Sequence, residues 1–444
     1  MKKKINIFGL GYVGYPLMLI LANKKIKGKS LYDVTGIEAS EQKKIEIELL
    51  INNKTLPFDT TDNKLIKYSK NNSTKTIKIL SKDKIDKIGG IILICINFDG
   101  PKKINELKKF FNKLSSKVQE NSTIIIESTL IPGTCEKILF PIIKKQFKKR
   151  NLNINKLSFG YSYERIMPGD DYVNSIIENY KNISGINNFS KKNILKFYKT
   201  FLNYKKFPIS EFSKITECET AKIMENSYRA LNIAFIDEWN KFSHINNLNL
   251  KKIINSIKVR NSHSNIMRPG IGVGGYCLTK DPMFGQIAGE MIFKKKTLFP
   301  LCKASIKINK QMPNFCFNFI NQKVKDLKNK KILIIGSAYK SDVSDIRHSP
   351  SINLTRQFNM KKFDVTNIDP MVNKKIFLKT YPKKLKLYDV IIFSVPHKYF
   401  KKVKYSSFNL KTIIFDIDYV LNDLQIKNFT NKKIKIFQMG DYSE

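Results

Sequence analysis

Cys277 lies in the stretch GIGVGGYCLTKDP, which combines four glycines with a thiol and places Lys280 and Asp281 just after it. Glycine lets the backbone approach another group closely, a property that a structural cysteine does not need. A thiolate in such a setting can attack an electrophilic carbon and hold it covalently. The pattern favours a reactive thiol at Cys277, and a small buried cysteine is the alternative.

A second glycine-rich loop, GLGYVGYPL, has the G-x-G-x-x-G spacing and lies between an apolar stretch, KINIF, and a helical pattern. In that context the glycines allow a tight turn and close approach of a pyrophosphate, which the helix N-terminus attracts. The residues that would contact the cofactor are Gly9, Gly11, Tyr12, Val13 and Gly14. The next predicted strand ends at Glu38, where an acid binds ribose hydroxyls and disfavours a 2′-phosphate. These features predict NAD rather than NADP; a glycine turn without a ligand is the alternative.

A long helix is predicted from Thr216 to about His244, and it carries polar residues of catalytic type. Lys222 and Asn226 are four residues apart, so they share a face, which Arg229 extends. A solvated face is the usual fate of helix lysines and stays the alternative. Apolar residues recur at spacings of three and four and predict a core-facing stripe. They are Ala221, Met224, Tyr228, Leu231, Phe235 and Trp239.

Strand patterns alternate with helical patterns on both sides of this helix. The predicted strands are KINIFGLG, SLYDVTGIE, IILICIN, STIIIEST and KLSFGYSYE, then KKILIIGSAY, FDVTNIDP, YDVIIFSVP and KTIIFDIDY. Such alternation is typical of parallel, doubly wound sheets. The predicted fold class is therefore α/β, with two doubly wound Rossmann-like domains joined by a central long helix that could also pack against a second subunit.

Composition narrows the class of protein. The 444 residues exceed one typical core, and 80 basic against 37 acidic residues give a net charge of +43. The basic residues are mostly scattered lysines without arginine–aromatic interleaving, which disfavours specific nucleic-acid recognition. The six cysteines form no C-x-x-C pair, so we expect free thiols, no metal site and a reducing cytosol. No stretch of about 18 uncharged apolar residues predicts a membrane span.

Six motifs occur in order along almost the whole chain: GLGYVGYPL, ESTLIPGT, YERIMPG, ETAKIMENSYRALNIAFIDE, GVGGYCLTKDP and AYKSDVSDIRHSP. Together they resemble the UDP-glucose/GDP-mannose dehydrogenase family, whose members oxidise a sugar C6 alcohol to a carboxylate with two NAD. The resemblance implies an NAD-binding domain at 1–205, a central helical region with the catalytic cysteine and the homodimer contact at 206–312, and a nucleotide-sugar-binding domain at 313–444. It also implies a cytoplasmic enzyme that makes surface polysaccharide precursors.

The resemblance assigns roles residue by residue. Cys277 matches the cysteine that forms a thiohemiacetal and then a thioester. Lys222 and Asn226 match residues that face the reacting carbon, and Asp281 matches an aspartate that works with the lysine and a water. Glu164 matches a glutamate associated with thioester hydrolysis. The remaining implied contacts are Thr129 with a catalytic water and cofactor, Lys43 and Arg347 with cofactor, and Glu164, Arg165, Lys222, Asn226, Arg260, Gly274, Tyr339 and Lys340 with the UDP-sugar.

Two positions depart from the family pattern. Asn97 replaces the threonine expected after the strand IILICIN, and Asp418 replaces a basic residue near the C-terminus, where an acid would repel a diphosphate. Two subgroup signals also conflict. YERIMPG is similar to the UDP-N-acetylhexosamine dehydrogenases, whereas Lys280 before Asp281 is similar to the UDP-glucose enzymes. The sequence favours the first subgroup.

Two other classes of function compete with this interpretation. A basic anion- or nucleic-acid-binding protein on an inactive enzyme scaffold would explain the charge. A two-electron reductase or epimerase would need the glycine loop but not Cys277. The presence of every expected catalytic position favours the nucleotide-sugar dehydrogenase.

Overall fold

Two α/β units make up the part of the chain that the computed structural model describes, residues 2–72, 76–98, 100–372, 385–402 and 408–443. The first unit comprises Met1–Met224 and Phe284–Leu298, and the second comprises Glu225–Met283 and Phe299–Glu444. The helices are α1 Gly14–Asn23, α2 Glu41–Asn52, α3 Asn63–Lys70, α4 Ile104–Ser115, α5 Phe140–Lys149, α6 Tyr172–Ile177, α7 Asn188–Tyr198, α8 Ile215–Ile245, α9 Leu250–Lys258, α10 Phe284–Ile287, α11 Pro300–Lys323, α12 Pro350–Met360, α13 Lys398–Lys402 and α14 Asp423–Asn431. Among the described residues, none of these helices is long and apolar enough to cross a membrane.

The first unit is built on one large sheet. Its strands are β1 Lys3–Phe8, β4 Tyr32–Glu38, β5 Ile77–Ser81, β6 Ile91–Ile94, β7 Thr123–Ile126, β8 Ser158–Tyr161, β9 Lys181–Gly185 and β10 Ile209–Glu211; β2 Lys25–Ile26 and β3 Lys29–Ser30 form a separate hairpin. The order is β5-β4-β1-β6-β7-β8-β9-β10, parallel from β5 to β8. Its first six strands have the doubly wound order of dinucleotide-binding folds. Strand β9 runs antiparallel to β8, and β10 is parallel to β9.

Helices cover both faces of this sheet, and its inner strands are therefore apolar on both sides. On β6, Ile92 and Ile94 belong to one core and Leu93 to the other; on β7, Ile124 and Ile125 divide in the same way. This alternation follows from the two-residue period of a strand. Each such side chain contributes roughly 1.5–3 kcal/mol when buried.

The second unit has a smaller, fully parallel sheet. Its strands are β11 Lys331–Ile335, β12 Asp364–Ile368, β13 Val390–Phe393, β14 Ile413–Asp416 and β15 Lys435–Gln438, in the order β12-β11-β13-β14-β15. This is the other common doubly wound order. The predicted fold class is confirmed, since each unit contains a doubly wound sheet and α8 runs from the first unit into the second.

Strands at the sheet margins escaped the sequence analysis. Three of them, β5, β10 and β15, lie at edges, and β9 lies next to an edge. Edge strands are short and carry polar or charged side chains because one side faces water. The lysine-rich segments that form β5 and β15 therefore lack the apolar runs that identified the inner strands.

Most of the apolar stripe that the sequence predicted to face the core on helix α8 is exposed to solvent. The core-facing assignment of its apolar stripe is wrong for four of the six residues, since Met224, Tyr228, Phe235 and Trp239 are 47–70% exposed, whereas Ala221 packs against the core. Ala221 and Leu231 are only partly buried. The buried face combines apolar residues such as Ile223, Ala230, Ala234 and Ile236 with polar ones, namely Glu219, Lys222, Asn226, Ser227, Asp237, Asn240 and Ser243. Periodicity identified the two faces, but not which one the chain itself covers.

Specific partners let α8 bury polar groups. Glu219 accepts the backbone N–H groups of Gly133, at 2.6 Å, and Cys135, at 2.9 Å. Asn240 accepts the hydroxyl of Tyr442 at 2.9 Å. A buried polar group is costly unless it is hydrogen-bonded, so these contacts fix the rotation of the helix.

Glu219 should make the stability of the protein depend on pH. Burial raises its pKa to about 7, against the lowering effect of the Cys135 and Gly133 N–H groups. The folded state therefore holds this proton more tightly than the unfolded state, and stability falls as pH rises from about 4.5 to 7. We expect Glu219→Gln to remove up to about 3 kcal/mol of that decline, measured by urea unfolding across this range. The exposed Glu217→Gln is the control, and an unchanged slope in Glu219→Gln would contradict the assignment.

Candidate active site

A pocket of about 280 Å³ opens at the carboxyl ends of the first sheet. Its lining includes Gly9, which follows β1, Glu38, which ends β4, and Asn97, which follows β6. The strand order reverses between β1 and β6, and doubly wound sheets bind ligands at this reversal. The topology thus brings three of the residues singled out from the sequence to one site.

The glycine loop at this pocket is shaped for an anion. Gly9 has φ +84°, and a side chain at Gly14 would lie 2.0 Å from the Gly9 carbonyl oxygen. Both positions therefore require glycine for the fold itself. Gly11 differs, because a Cβ there would meet no protein atom within 4 Å. Its open side leaves room for a pyrophosphate next to the N-terminus of α1, so the loop fits a dinucleotide.

Glu38 anchors the side of the pocket next to the glycine loop. Its Oε1 accepts the N–H of Leu10 at 2.7 Å, and its Oε2 accepts the N–H of Ala39 at 3.2 Å. A carboxylate has about four acceptor positions, so it can still accept hydroxyl groups.

The other predicted cofactor contacts differ in exposure. Tyr12 stacks on Phe58 at 5.1 Å, and Val13 immediately precedes α1. Lys43 is exposed in the first turn of α2. Asn97, at the position of the expected threonine, is exposed within the pocket lining.

Glu164 lies three residues beyond the end of β8, and lysines hold both its main chain and its side chain. Its carbonyl oxygen accepts Lys222 Nζ at 2.9 Å, and its carboxylate pairs with Lys181. Lys222 also lies over the ring of Tyr163, at 5.2 Å. Lys222 and Asn226 are buried, so the alternative of a solvated helix face is wrong for both, whereas Arg229 is exposed.

Arg165 and Thr129 lie at the same edge of the sheet. The Arg165 guanidinium donates to the Tyr180 carbonyl oxygen at 2.7 Å and to the Tyr163 hydroxyl at 3.0 Å. Thr129 is half-buried just after β7. The preceding Ser128 donates to the carbonyl oxygens of Ile94 and Ile96, which fixes the chain between β6 and β7.

In the second unit, Cys277 begins a tight turn. Its carbonyl oxygen accepts the N–H groups of Lys280, at 3.1 Å, and Asp281, at 2.9 Å. The Asp281 carboxylate is fully buried, accepts the Asn226 amide at 2.8 Å and pairs with Lys280 Nζ at 2.7 Å. All six cysteines are described: Cys277 is exposed, Cys95 is half-buried and the others are buried. The structure thus presents this thiol to solvent above a buried polar network.

The glycines before Cys277 are required by packing. A side chain at Gly272 would lie 2.7 Å from the Asn309 carbonyl oxygen. Side chains at Gly274 and Gly275 would each come within 2.7 Å of Tyr339. The thiol loop therefore packs directly on the loop after β11, and two predicted substrate-binding positions, Gly274 and Tyr339, are brought together.

The ring of Tyr276 lies next to two cations, with Lys280 Nζ 4.4 Å and Arg347 Cζ 5.3 Å from its centroid. Arg347 also donates its backbone N–H and its guanidinium N–H groups to the Asp345 carboxylate, and the shortest of these hydrogen bonds is 2.6 Å. Lys340 is exposed in the loop after β11, where the second sheet reverses its order, and Arg260 is exposed after α9.

Asp418 carries less negative charge than the sequence suggested. Burial raises its pKa to about 7, and the charge of Asp416 adds to the shift. Burial also raises the pKa of Asp416 to about 6. The raised pKa of Asp418 favours its neutral form, which weakens the expected repulsion of a diphosphate.

Three buried residues next to Glu164 were missed: Glu127, Lys181 and Tyr198. Glu127 directly follows β7 and Lys181 begins β9. A polar residue at the carboxyl end of a buried strand often indicates a ligand-binding site, and Glu127 in ESTLIPGT could have been recognised by this position. Lys181 was not, because β9 itself had not been recognised.

Three models of one family match the chain. The UDP-glucose/GDP-mannose dehydrogenase NAD binding domain matches residues 3–202, the central domain matches 216–311 and the UDP binding domain matches 333–423. These matches confirm the resemblance drawn from the six motifs. They also confirm the predicted NAD cofactor.

Individual proteins are similar over nearly the full length. The UDP-N-acetyl-D-mannosamine dehydrogenase of Methanocaldococcus jannaschii is 29% identical, covering 99% of this chain and 97% of its own. The enzyme of the same name from Methanococcus vannielii is 30% identical, covering 90% and 88%. The solved UDP-N-acetyl-mannosamine dehydrogenase Cap5O of Staphylococcus aureus shares the fold, with a TM-score of 0.79 and 23% identity over 99% of this chain and 98% of that one.

Alanine substitutions at Gly14 and at Gly11 should separate the effect of this loop on stability from its effect on NAD binding. Gly14→Ala places a methyl group against the Gly9 carbonyl oxygen and should cost at least about 2 kcal/mol of stability. Gly11→Ala meets open space and should change stability by less than about 1 kcal/mol, yet raise the Kd for NAD about tenfold or more. Thermal unfolding without ligand and calorimetric titration with NAD measure the two effects. Unchanged NAD affinity in Gly11→Ala would exclude this loop as the pyrophosphate site.

Proposed function

Because the chain belongs to the UDP-glucose/GDP-mannose dehydrogenase family, which comprises NAD-dependent nucleotide-sugar dehydrogenases, we propose that it oxidises the C6 alcohol of a UDP-N-acetylhexosamine twice, to the carboxylate. UDP-N-acetyl-D-mannosamine is the first candidate, since the similar proteins from two archaea carry that name. The observation that carries the proposal is the exposed thiol of Cys277 on the turn that also carries Lys280 and the buried Asp281, which is paired with Lys280 and with the buried Asn226.

The proposed reaction uses Cys277 as a covalent hold. NAD, when bound, accepts the hydride in each of the two oxidations. After the first, the Cys277 thiolate adds to the aldehyde carbon and gives a thiohemiacetal. Loss of the second hydride and a proton gives a thioester. Water then forms the new C–O bond as the C–S bond breaks, which releases the carboxylate and restores the thiol.

Polar residues on α8 and after Cys277 assist these steps. Lys222 and Asn226 supply a cation and an amide donor that stabilise the oxyanion developing at the reacting carbon. Asp281 is held by Asn226 and Lys280 and exchanges protons through water. Glu164 acts as the base for thioester hydrolysis, and Thr129 positions the water.

The three predicted regions divide the binding work in this proposal. Region 1–205 holds NAD through the glycine loop, Glu38, Lys43 and Thr129, and the family resemblance also assigns Arg347 to the cofactor. The UDP-sugar is held by Arg165, Arg260, Gly274, Tyr339 and Lys340, besides the catalytic residues. The exposed Lys340 and Arg260 offer the charge that a diphosphate needs. The acid formed would serve as a surface polysaccharide precursor.

UDP-glucose is the second candidate substrate, and Lys280 favours it. This lysine is similar to the residue that the UDP-glucose enzymes carry before the aspartate. Its ammonium group pairs with Asp281 and lies over Tyr276, so it acts on the catalytic network itself. The YERIMPG motif and the names of the similar proteins favour the N-acetylhexosamine.

We further propose a homodimer through α8. Its exposed face carries Phe235, Trp239 and Phe242, whose rings contact one another in series at 6.5 and 5.5 Å. The groove between this face and α9 is lined by Ile253 and Ile257. Contiguous apolar patches of this kind mark interaction sites. In a twofold-symmetric dimer this patch would pack against the same patch of a second copy, so the proposed partner of α8 is the α8 of the other subunit.

Activity assays over a substrate panel test the reaction. We expect two NADH per acid formed with UDP-N-acetyl-D-mannosamine, and less turnover with UDP-glucose, UDP-N-acetylglucosamine, UDP-N-acetylgalactosamine and GDP-mannose. Cys277→Ser should reduce turnover by at least about 10³-fold, because the covalent step is lost. The buried Cys302→Ser serves as the control. Full turnover in Cys277→Ser would refute the covalent mechanism.

Charge on the exposed face of α8 tests the homodimer. Phe235→Glu places a carboxylate in the proposed interface and should yield monomers by light scattering after size-exclusion chromatography. Phe189→Glu, on α7, is the matched control, since both phenylalanines are 50% exposed. A wild-type monomer, or a dimer that tolerates Phe235→Glu, would contradict the proposed interface.

A further inference from the structure

Lys181 and Glu127 form a buried ionisable cluster with Glu164, the proposed hydrolytic base, and none of the roles above accounts for these two residues. Lys181 Nζ lies 3.0 Å from Glu127 Oε2 and also contacts the Glu164 carboxylate. The side chains of Lys181, Glu127 and Glu164 are 5%, 0% and 9% exposed. One ammonium group is thus shared between two carboxylates in a site that is nearly dry.

The topology of the first sheet brings these residues together. Glu127 follows β7 and Glu164 follows β8, so both lie at the carboxyl edge where doubly wound sheets bind ligands. Lys181 is the first residue of β9, which would lie at the opposite edge if β9 were parallel. Strand β9 is antiparallel to β8, with Tyr161 opposite Ser184, and its start therefore falls at the carboxyl edge.

The surroundings hold the cluster in one arrangement. The Tyr198 hydroxyl donates to the second oxygen of Glu127, and Lys181 Nζ lies 4.9 Å from the Tyr198 ring. Burial lowers the pKa of Lys181, and the charge of Glu127 opposes that change. Both oxygens of the fully buried Glu127 hold a hydrogen bond, whereas Lys181 contacts one oxygen of Glu164, which is 9% exposed, so Glu164 has more capacity for a further hydrogen bond.

We propose that Lys181 is a positioning residue that keeps Glu164 ionised and aimed for thioester hydrolysis, and that Glu127 tunes this effect by competing for the same ammonium group. This inference rests on the proposed function. An adjacent cation favours the ionised carboxylate. If Lys181 paired with Glu164 alone, its charge would stabilise the Glu164 carboxylate so strongly that Glu164 would be a weaker base. Because Glu127 shares the same ammonium group, Glu164 keeps more of its basicity.

The step that Lys181 supports is the last one of the reaction. Glu164 takes a proton from water as the water oxygen attacks the thioester carbon. The C–S bond then breaks, the sulfur leaves as the Cys277 thiolate, and the sugar carboxylate is released. No electrons are transferred in this step, so loss of Lys181 should leave both oxidations in place.

A structural role for the ion pair is the competing explanation, and paired variants separate the two. Lys181→Met leaves two buried carboxylates without their counterion, which destabilises the fold. The double variant Lys181→Met/Glu127→Gln removes one of those charges as well and should recover most of the stability. Lys113→Met, which breaks an exposed pair with Asp83, is the control for loss of an ion pair.

Three readouts are measured on the whole enzyme: kcat and KM for the UDP-sugar, the pH dependence of kcat, and the mass of the acid-quenched protein during turnover. In the double variant we expect kcat to fall on the order of 10²-fold and KM to fall with it, so that kcat/KM stays within about threefold, because only the hydrolysis that follows the oxidations is slowed. The pH at half-maximal kcat should rise by about one unit or more. A burst of two NADH per site should persist, and the acyl group should accumulate on Cys277.

A stable double variant with wild-type kcat, or one that loses the NADH burst and carries no acyl group, would overturn the role of Lys181. These failures differ from failure of the proposed function. If the wild-type enzyme forms no NADH with any UDP-sugar, or never carries an acyl group on Cys277 in the slowed Glu164→Gln variant, the reaction itself is wrong.

Discussion

The requirement that buried polar groups find partners governs the architecture around α8. The helix buries two carboxylates, a lysine and two amides, and leaves its aromatic side chains outside. Specific partners bind two of these groups: Glu219 accepts the N–H groups of Gly133 and Cys135, and Asn226 donates to Asp281. Because an unpaired polar group costs more than a hydrogen bond gains, these commitments specify the helix rotation more tightly than apolar packing would. The buried polar residues and the exposed aromatic face of α8 are two consequences of the same helix rotation.

The inner strands and the chemistry-bearing motifs could be predicted from the sequence, because each has a local cause. Continuous apolar runs mark β1, β6, β7, β11 and β13, and the glycine loop is marked by its own spacing. The reversed face of α8 could not be predicted, since a helical period shows two faces without showing which one the rest of the chain covers. Lys181 was hidden for a different reason: its position depends on the direction of β9, and strand direction is a property of the whole sheet.

The glycines around Cys277 also acquired a different explanation. Glycine next to a thiol suggested space for a substrate. Gly272, Gly274 and Gly275 instead meet Asn309 and Tyr339 at distances that exclude any side chain. The thiol is exposed because the loop beneath it is packed against protein, not because the loop is open. Sequence could identify the positions where glycine matters, whereas the atoms that demand it come from distant parts of the chain.

The packing of Gly274 and Gly275 on Tyr339 connects two separate loops, which in the proposed function bind the nucleotide and carry the Cys277 thiol. Tyr339 precedes the exposed Lys340 in the loop after β11. Anything that orders this loop by gripping a nucleotide also restricts the backbone that carries the thiol. In the proposed reaction the nucleotide is chemically remote from the sugar C6. Its binding energy would nevertheless help to align the Cys277 thiol, and would therefore raise kcat rather than the affinity for the substrate. A hexose without the nucleotide would lack this binding energy and would therefore be oxidised with a lower kcat, however well its ring fits the site.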